Sequence, residues 1–252
     1  MPPFLSLIIP AHNEEFRLPQ TLREVIAFAH AQPYPTEIVV VDSGSQDQTA
    51  VIAQAFAQSH AGVQVLRLPR PGKGLAVRTG ILAASGEFRF ICDADLSMPI
   101  VEANRFLPPQ LEHFDIAIGS RESPGAIRHG EPVYRHWVGR VFNWLVRLLA
   151  VPGFQDTQCG FKCFRGAVAQ ELFALQLLDG WTFDVEVLFL ALRKGYRIVE
   201  VGIPWYYNPG SKVRLFWDSV AMLADLFRIR RNWKRGLYGA KSGPATQARS
   251  EP

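Results

Sequence analysis

Cysteine is scarce: this chain of 252 residues has three, at Cys92, Cys159 and Cys163. An odd, small number in a chain of this size excludes a disulfide scaffold and suits a reducing compartment. Cys159 and Cys163 have no His pair near them in sequence, so they make a poor zinc site and read as core. Long apolar runs are also missing. A membrane-spanning helix takes about 18–20 uncharged apolar residues. The best stretch here, Val138 to Val151, is shorter and contains Arg140 and Arg147. The opening MPPFLSLIIPAHNEE lacks a basic segment and breaks at Pro10, unlike a secretory signal. There is no G-x-x-x-x-G-K-[S/T] loop and no G-x-G-x-x-G after the first strand, which speaks against P-loop and dinucleotide-binding enzymes.

What remains is a globular composition, 48% hydrophobic and 20% charged, with a formal charge of +4. The excess of cations is local. Between Lys212 and Lys241 there are eight Lys/Arg against Asp218 and Asp225, a block suited to phosphates or an acidic lipid surface. No nucleic-acid partner is expected.

Short apolar runs alternate with helical patterns. Leu5–Pro10, Glu37–Asp42, Val63–Leu68, Phe88–Cys92 and Asp115–Gly119 read as strands; Leu18–Ala31, Thr49–Gln58 and a segment from Gly72 to Ala84 read as helices. Near-continuously apolar strands alternating with helices imply a mostly parallel sheet covered on both faces, with ligands beyond its carboxyl ends. Residues 1–239 are expected to form one domain, with 240–252 a loose tail.

Three polar clusters follow strand ends and should meet in one crevice: His12-Asn13-Glu14-Glu15, Asp42-Ser43-Gly44-Ser45 and Asp93-Ala94-Asp95. Two carboxylates at a strand terminus can hold a hard divalent ion that shares its shell with substrate phosphates. Asp42 can accept hydrogen bonds from a base or ribose, or cap the helix that follows. Lys73, between two glycines, can approach a phosphate. Asp184 and Glu186 occupy the first turn of a helix, where acidic residues are favoured electrostatically in any case. Lys212 and Arg214 follow the turn Asn208-Pro209-Gly210-Ser211 and can clamp a diphosphate.

In order along the chain, IIPAHNE (8–14), VVVDSGS (39–45), GKG (72–74), DADLS (93–97), GSR (119–121), DTQCGFK (156–162), FDVE (183–186) and PGSKVR (209–214) resemble glycosyltransferase family two. They most resemble its branch that moves a sugar onto a polyprenyl (dolichyl) phosphate. The resemblance implies a GT-A, Rossmann-like α/β fold with helices on both faces of a mostly parallel mixed sheet, about 1–120 being a nucleotide-binding half and 121–239 an acceptor half. It implies a nucleoside pocket with Pro10, His12, Glu14 and Asp42, and Mg²⁺ or Mn²⁺ on Asp95, with Asp93 nearer the ribose or sugar. Arg121, Gln158 and Lys162 would lie near the sugar and acceptor phosphate, with Arg140 a further acceptor contact. Asp184 matches the catalytic carboxylate, and Ser211, Lys212 and Arg214 the phosphate-binding turn.

One departure concerns the base: the family usually has two successive aspartates where this chain has Asp42-Ser43. FDVE and PGSKVR lean toward UDP-glucose as donor, with GDP-mannose the alternative. A glycan hydroxyl acceptor and a non-catalytic sugar-nucleotide scaffold are the other readings. A lipid acceptor implies a cytoplasmic protein held peripherally on a membrane. The surfaces expected to lie in the interface are Val138–Val151 and Phe216–Leu237, the latter through Leu226, Ile229, Trp233 and Leu237; otherwise both helices pack on the sheet or pair in a homodimer.

Overall fold

The computed structural model describes residues 2–208, 210 and 215–239. Its first part alternates as the sequence implies: β1 (Leu5–Ala11), α1 (Leu18–Ala31), β2 (Thr36–Ser43), α2 (Thr49–Ser59), β3 (Val63–Leu68), α3 (Lys73–Ala83) and β4 (Phe88–Ile91). A 3-10 segment at Ile100–Phe106 leads to β5 (Ile116–Ser120), β6 (Ile127–His129) and α4 (Val133–Leu149). The chain then forms β7 (Lys162–Arg165), α5 (Gly166–Leu175), α6 (Phe183–Lys194), β8 (Ile198–Gly202), β9 (Pro204–Tyr206) and α7 (Leu215–Lys234).

Period-two alternation sorts each strand between two apolar layers. Leu5, Leu7 and Ile9 of β1 join Leu18, Leu22 and Val25 of α1 on one face, whereas Ile8 joins Ala76, Val77 and Ile81 of α3 on the other. Gly80 lets α3 lie close on the sheet: a Cβ there would stand 2.6 Å from Ile8 Cγ2. The seven-stranded sheet has the order β3-β2-β1-β4-β7-β5-β8. All pairs are parallel except those of β7, which runs antiparallel to both β4 and β5. β6 and β9 form a separate parallel pair.

From β1 the chain winds outward to β2 and β3, then returns to β4 on the opposite side. That reversal opens a crevice at the carboxyl ends of β1 and β4, where ligands bind in sheets of this kind. In α7 the structure corrects the expected interfacial face. Leu226 and Ile229 are fully buried and Trp233 packs against the same core, so of the four residues only Leu237 is exposed. Helical periodicity identifies an apolar face but not its neighbour, which here is the rest of the fold. No described helix is long and apolar enough to cross a membrane. Residues 240–252 lie outside the described residues.

Candidate active site

The ends of β1, β2 and β4 border a cleft of about 900 Å³, bounded also by α4, the start of α6, and α7. Asp93 and Asp95 stand on the turn after β4. Thr21 of α1 donates its hydroxyl to the Ala94 carbonyl at 2.6 Å, and the Leu96 amide donates to the Asp93 carbonyl at 3.2 Å. Leu96 has φ 42°, a left-handed conformation that bulky residues adopt only when their surroundings impose it.

Three ion pairs organise the charge. Lys73, opening α3, places Nζ 2.8 Å from Asp93 Oδ1 and lies 5.2 Å from the Trp181 ring centroid. Arg121 binds Asp156 in a fork, Nε to Oδ2 at 2.6 Å and Nη2 to Oδ1 at 2.9 Å. Lys162 on β7 reaches Asp184 Oδ1 at 2.9 Å. Burial opposes ionisation of Asp93, but Lys73, then Lys162 and Arg121, hold its carboxyl below the usual range. Burial likewise opposes Asp156, and Arg121 overrides it, bringing the pKa to about 2. That depression stabilises the fold above the ordinary carboxylate value, and the contribution is lost as pH falls from there through about 2.

Asp95 behaves oppositely. Burial, and then the charge of Asp93, push its pKa up, and its Oδ1 accepts the Ser97 amide at 3.0 Å. Among the described residues it has no ion-pair partner. A buried carboxylate beside another negative charge is stabilised by a cation. The oxygen donors suit Mg²⁺ or Mn²⁺, which commonly complete their shells with water and substrate phosphate. The described residues include no group of three or more His, Cys, Asp or Glu able to hold a metal, so those residues supply only part of such a shell.

Just beyond the end of β1, the His12 ring hydrogen-bonds through Nδ1 to the Ser43 carbonyl at 2.7 Å. The proton therefore sits on Nδ1, leaving Nε2 to accept from Asn13 Nδ2 at 3.3 Å. Glu14 accepts two bonds from Arg17, which also donates to the Gly210 carbonyl at 3.3 Å. Glu186 plays no part in the cleft: fully buried, it accepts the amides of Leu177 and Leu178 and the Tyr238 hydroxyl.

The cleft thus brings together Pro10, His12, Glu14, Lys73, Asp93, Asp95, Arg121, Gln158 and Asp184. Three expected residues stand elsewhere. Asp42 is buried, accepting the Ser45 amide and lying 3.8 Å from Nε of Arg67, its register partner on β3. Lys162 is 2% exposed and faces Asp184 from below. Arg140 does not line the cleft; it is half exposed and pairs with Glu122 at 2.9 Å. Ser211, Lys212 and Arg214 lie outside the described residues. Trp205 and Tyr207 on the wall, and Gly160, also line the cleft without having stood out in the sequence. A Cβ at 160 would fall 2.0 Å from Asp93 Oδ2, so only glycine leaves Asp93 its place. The signal was the glycine inside DTQCGFK.

A Rossmann-like sheet with an acidic D-x-D turn at its switch point is the architecture of a glycosyltransferase. Residues 6–173 match the family described as Glycosyl transferase family 2, and the protein belongs to that family. The chain is 38% identical to a dolichyl-phosphate beta-glucosyltransferase of Drosophila melanogaster, over 94% of this chain and 76% of that one. Identity to the Homo sapiens protein of the same name is 33%, over 93% and 77%. In fold it resembles glucosyl-3-phosphoglycerate synthase from Mycobacterium tuberculosis in complex with UDP, with a TM-score of 0.66 and 19% identity across 90% of this chain and 80% of that one. The same enzyme with Mn²⁺, UDP and glucosyl-3-phosphoglycerate gives 0.65 and 20%, at the same coverage.

Proposed function

We propose that the protein transfers glucose from UDP-glucose to a polyprenyl (dolichyl) phosphate, with inversion and with Mg²⁺ or Mn²⁺ held by Asp95. The observation that carries the acceptor is the change of chemistry across one cleft. Its floor holds Asp93, Asp95 and Lys73, whereas its α4 and α7 wall offers Val138, Phe142 and Met222. A phosphate joined to a prenyl chain has that same division. The names of the relatives support both glucose and dolichyl phosphate. Residues 1–239 then act as one domain, with the donor bound by about residues 1–120 and the acceptor by 121–239.

The transfer is a single displacement: an acceptor phosphate oxygen forms the new bond to the anomeric carbon as the bond to the nucleotide diphosphate breaks. Pro10, His12 and Glu14 line the nucleoside side, and Asp42 supports that wall through the Ser45 amide. When bound, the metal at Asp95 neutralises charge on the leaving diphosphate. Lys73 adds a cation to the same end, and Arg121 and Gln158 meet the sugar and acceptor phosphate; Lys212 and Arg214, outside the described residues, are assigned to the diphosphate by the family resemblance alone. Asp184 orients the reacting partners.

A screen of UDP-glucose and GDP-mannose against a short polyprenyl phosphate tests this. Chloroform-soluble label is expected from UDP-glucose alone. Label from GDP-mannose alone would replace the donor, and label from neither would remove the lipid acceptor.

Such an acceptor calls for peripheral attachment at the cytoplasmic face of a membrane. α4 supports this, leaving Val133, Tyr134, Trp137, Val141, Trp144 and Leu148 exposed along one stripe. Wild-type protein is expected to co-sediment with anionic vesicles. Trp137→Ser and Trp144→Ser should each weaken binding about tenfold, the effect of exposing one large apolar side chain. Unchanged partitioning of the double variant would exclude α4 as the anchor.

A further inference from the structure

We propose that Lys162 is the positioning residue for Asp184, holding its carboxylate from beneath the cleft floor and not touching the acceptor. The inference rests on the reading of Asp184 as the carboxylate at the reacting centre. Lys162 is 2% exposed on β7, the antiparallel strand between β4 and β5. Its ammonium reaches Asp184 Oδ1 at 2.9 Å and also donates to the Cys159 carbonyl. Two pieces of the site are thereby tied to one atom: the first turn of α6 and the loop carrying Gly160, against which Asp93 rests.

Burying an ammonium is costly, and a buried ion pair is often no more stable than an apolar pair of equal volume. Stability alone therefore gives no reason for a lysine at this point. Positioning does: a carboxylate fixed by a charged partner keeps its ionisation and its direction when substrates displace water. The same ammonium also helps to keep Asp156 ionised.

The test is a cycle of Lys162→Gln, Asp184→Asn and the double variant, with Lys162→Arg as the conservative exchange, assayed with UDP-glucose and polyprenyl phosphate. Lys162→Gln is expected to lower kcat about tenfold through misplacement of Asp184, with both KM values little changed. Lys162→Arg should restore part of that loss. On the Asp184→Asn background Lys162→Gln should cost no more than about twofold, because residues acting as one unit are not additive. If Lys162→Gln alone fails to fold, the double variant, neutral at both ends, still reads the coupling against Asp184→Asn. Full multiplication of the two losses would overturn the proposal, and so would a raised acceptor KM at unchanged kcat. Asp184→Asn at the wild-type rate would remove the underlying reading instead. That result differs from failure of the inference alone, in which Asp184→Asn is slow and Lys162→Gln fast.

Discussion

Asp95→Asn is expected to lower kcat/KM by about a thousandfold or more, the scale of losing electrostatic stabilisation of a leaving diphosphate. The fold should survive it. Asp95 contributes no ion pair among the described residues, and Asp93 repels its charge, so a neutral amide of the same shape relieves repulsion without orphaning a cation. Asparagine also keeps the oxygen that accepts the Ser97 amide. The thermal midpoint without metal should therefore equal or slightly exceed that of the wild type. The decisive measurement is calorimetric titration of UDP with and without Mn²⁺. Wild-type protein should bind UDP more tightly with the ion, and Asp95→Asn should show no such difference. Were the variant to keep the manganese-dependent gain, another group would hold the metal.

The first four strands and three helices were legible because the strands are near-continuously apolar, interrupted by few polar residues such as Ser6, Gln64 and Arg89, and alternate with helical patterns. α1 was expected at Leu18–Ala31 and lies there. The later half hid its elements for identifiable reasons. β7 reads Lys-Cys-Phe-Arg, two cations in four residues, yet its first three side chains are buried. A lysine can occupy such a strand only because Asp184 meets it, and that partner comes from a helix 22 residues further on. Asp42 shows the same limit. Its place at a strand end followed from the sequence, but its approach to Arg67 depends on strand register. Local pattern places a residue on an element; burial and partners depend on which elements later close over it.

Asp184→Asn is expected to reduce kcat about a hundredfold with a polyprenyl phosphate acceptor, and not to abolish it. A general base contributes about 10²–10⁴-fold where a proton must be removed in the transition state. A phosphate monoester loses its second proton with a pKa of about 6, so its attacking oxygen is already an anion at neutral pH. The carboxylate then orients the reactants. The amide keeps an oxygen for Lys162 but loses the charge that fixes it. Burial pushes the Asp184 pKa up, with Lys162 and then Lys73 opposing, so Asp184 and the acceptor are both candidates for an acid limb in the rate–pH profile. The variant separates them. With a phosphate acceptor, the limb near pH 6 belongs to the acceptor and should persist, at lower amplitude, in Asp184→Asn. A limb that vanishes in the variant, together with near-total loss of kcat and intact binding of both substrates, would mean that Asp184 removes a proton. The natural acceptor would then be a hydroxyl.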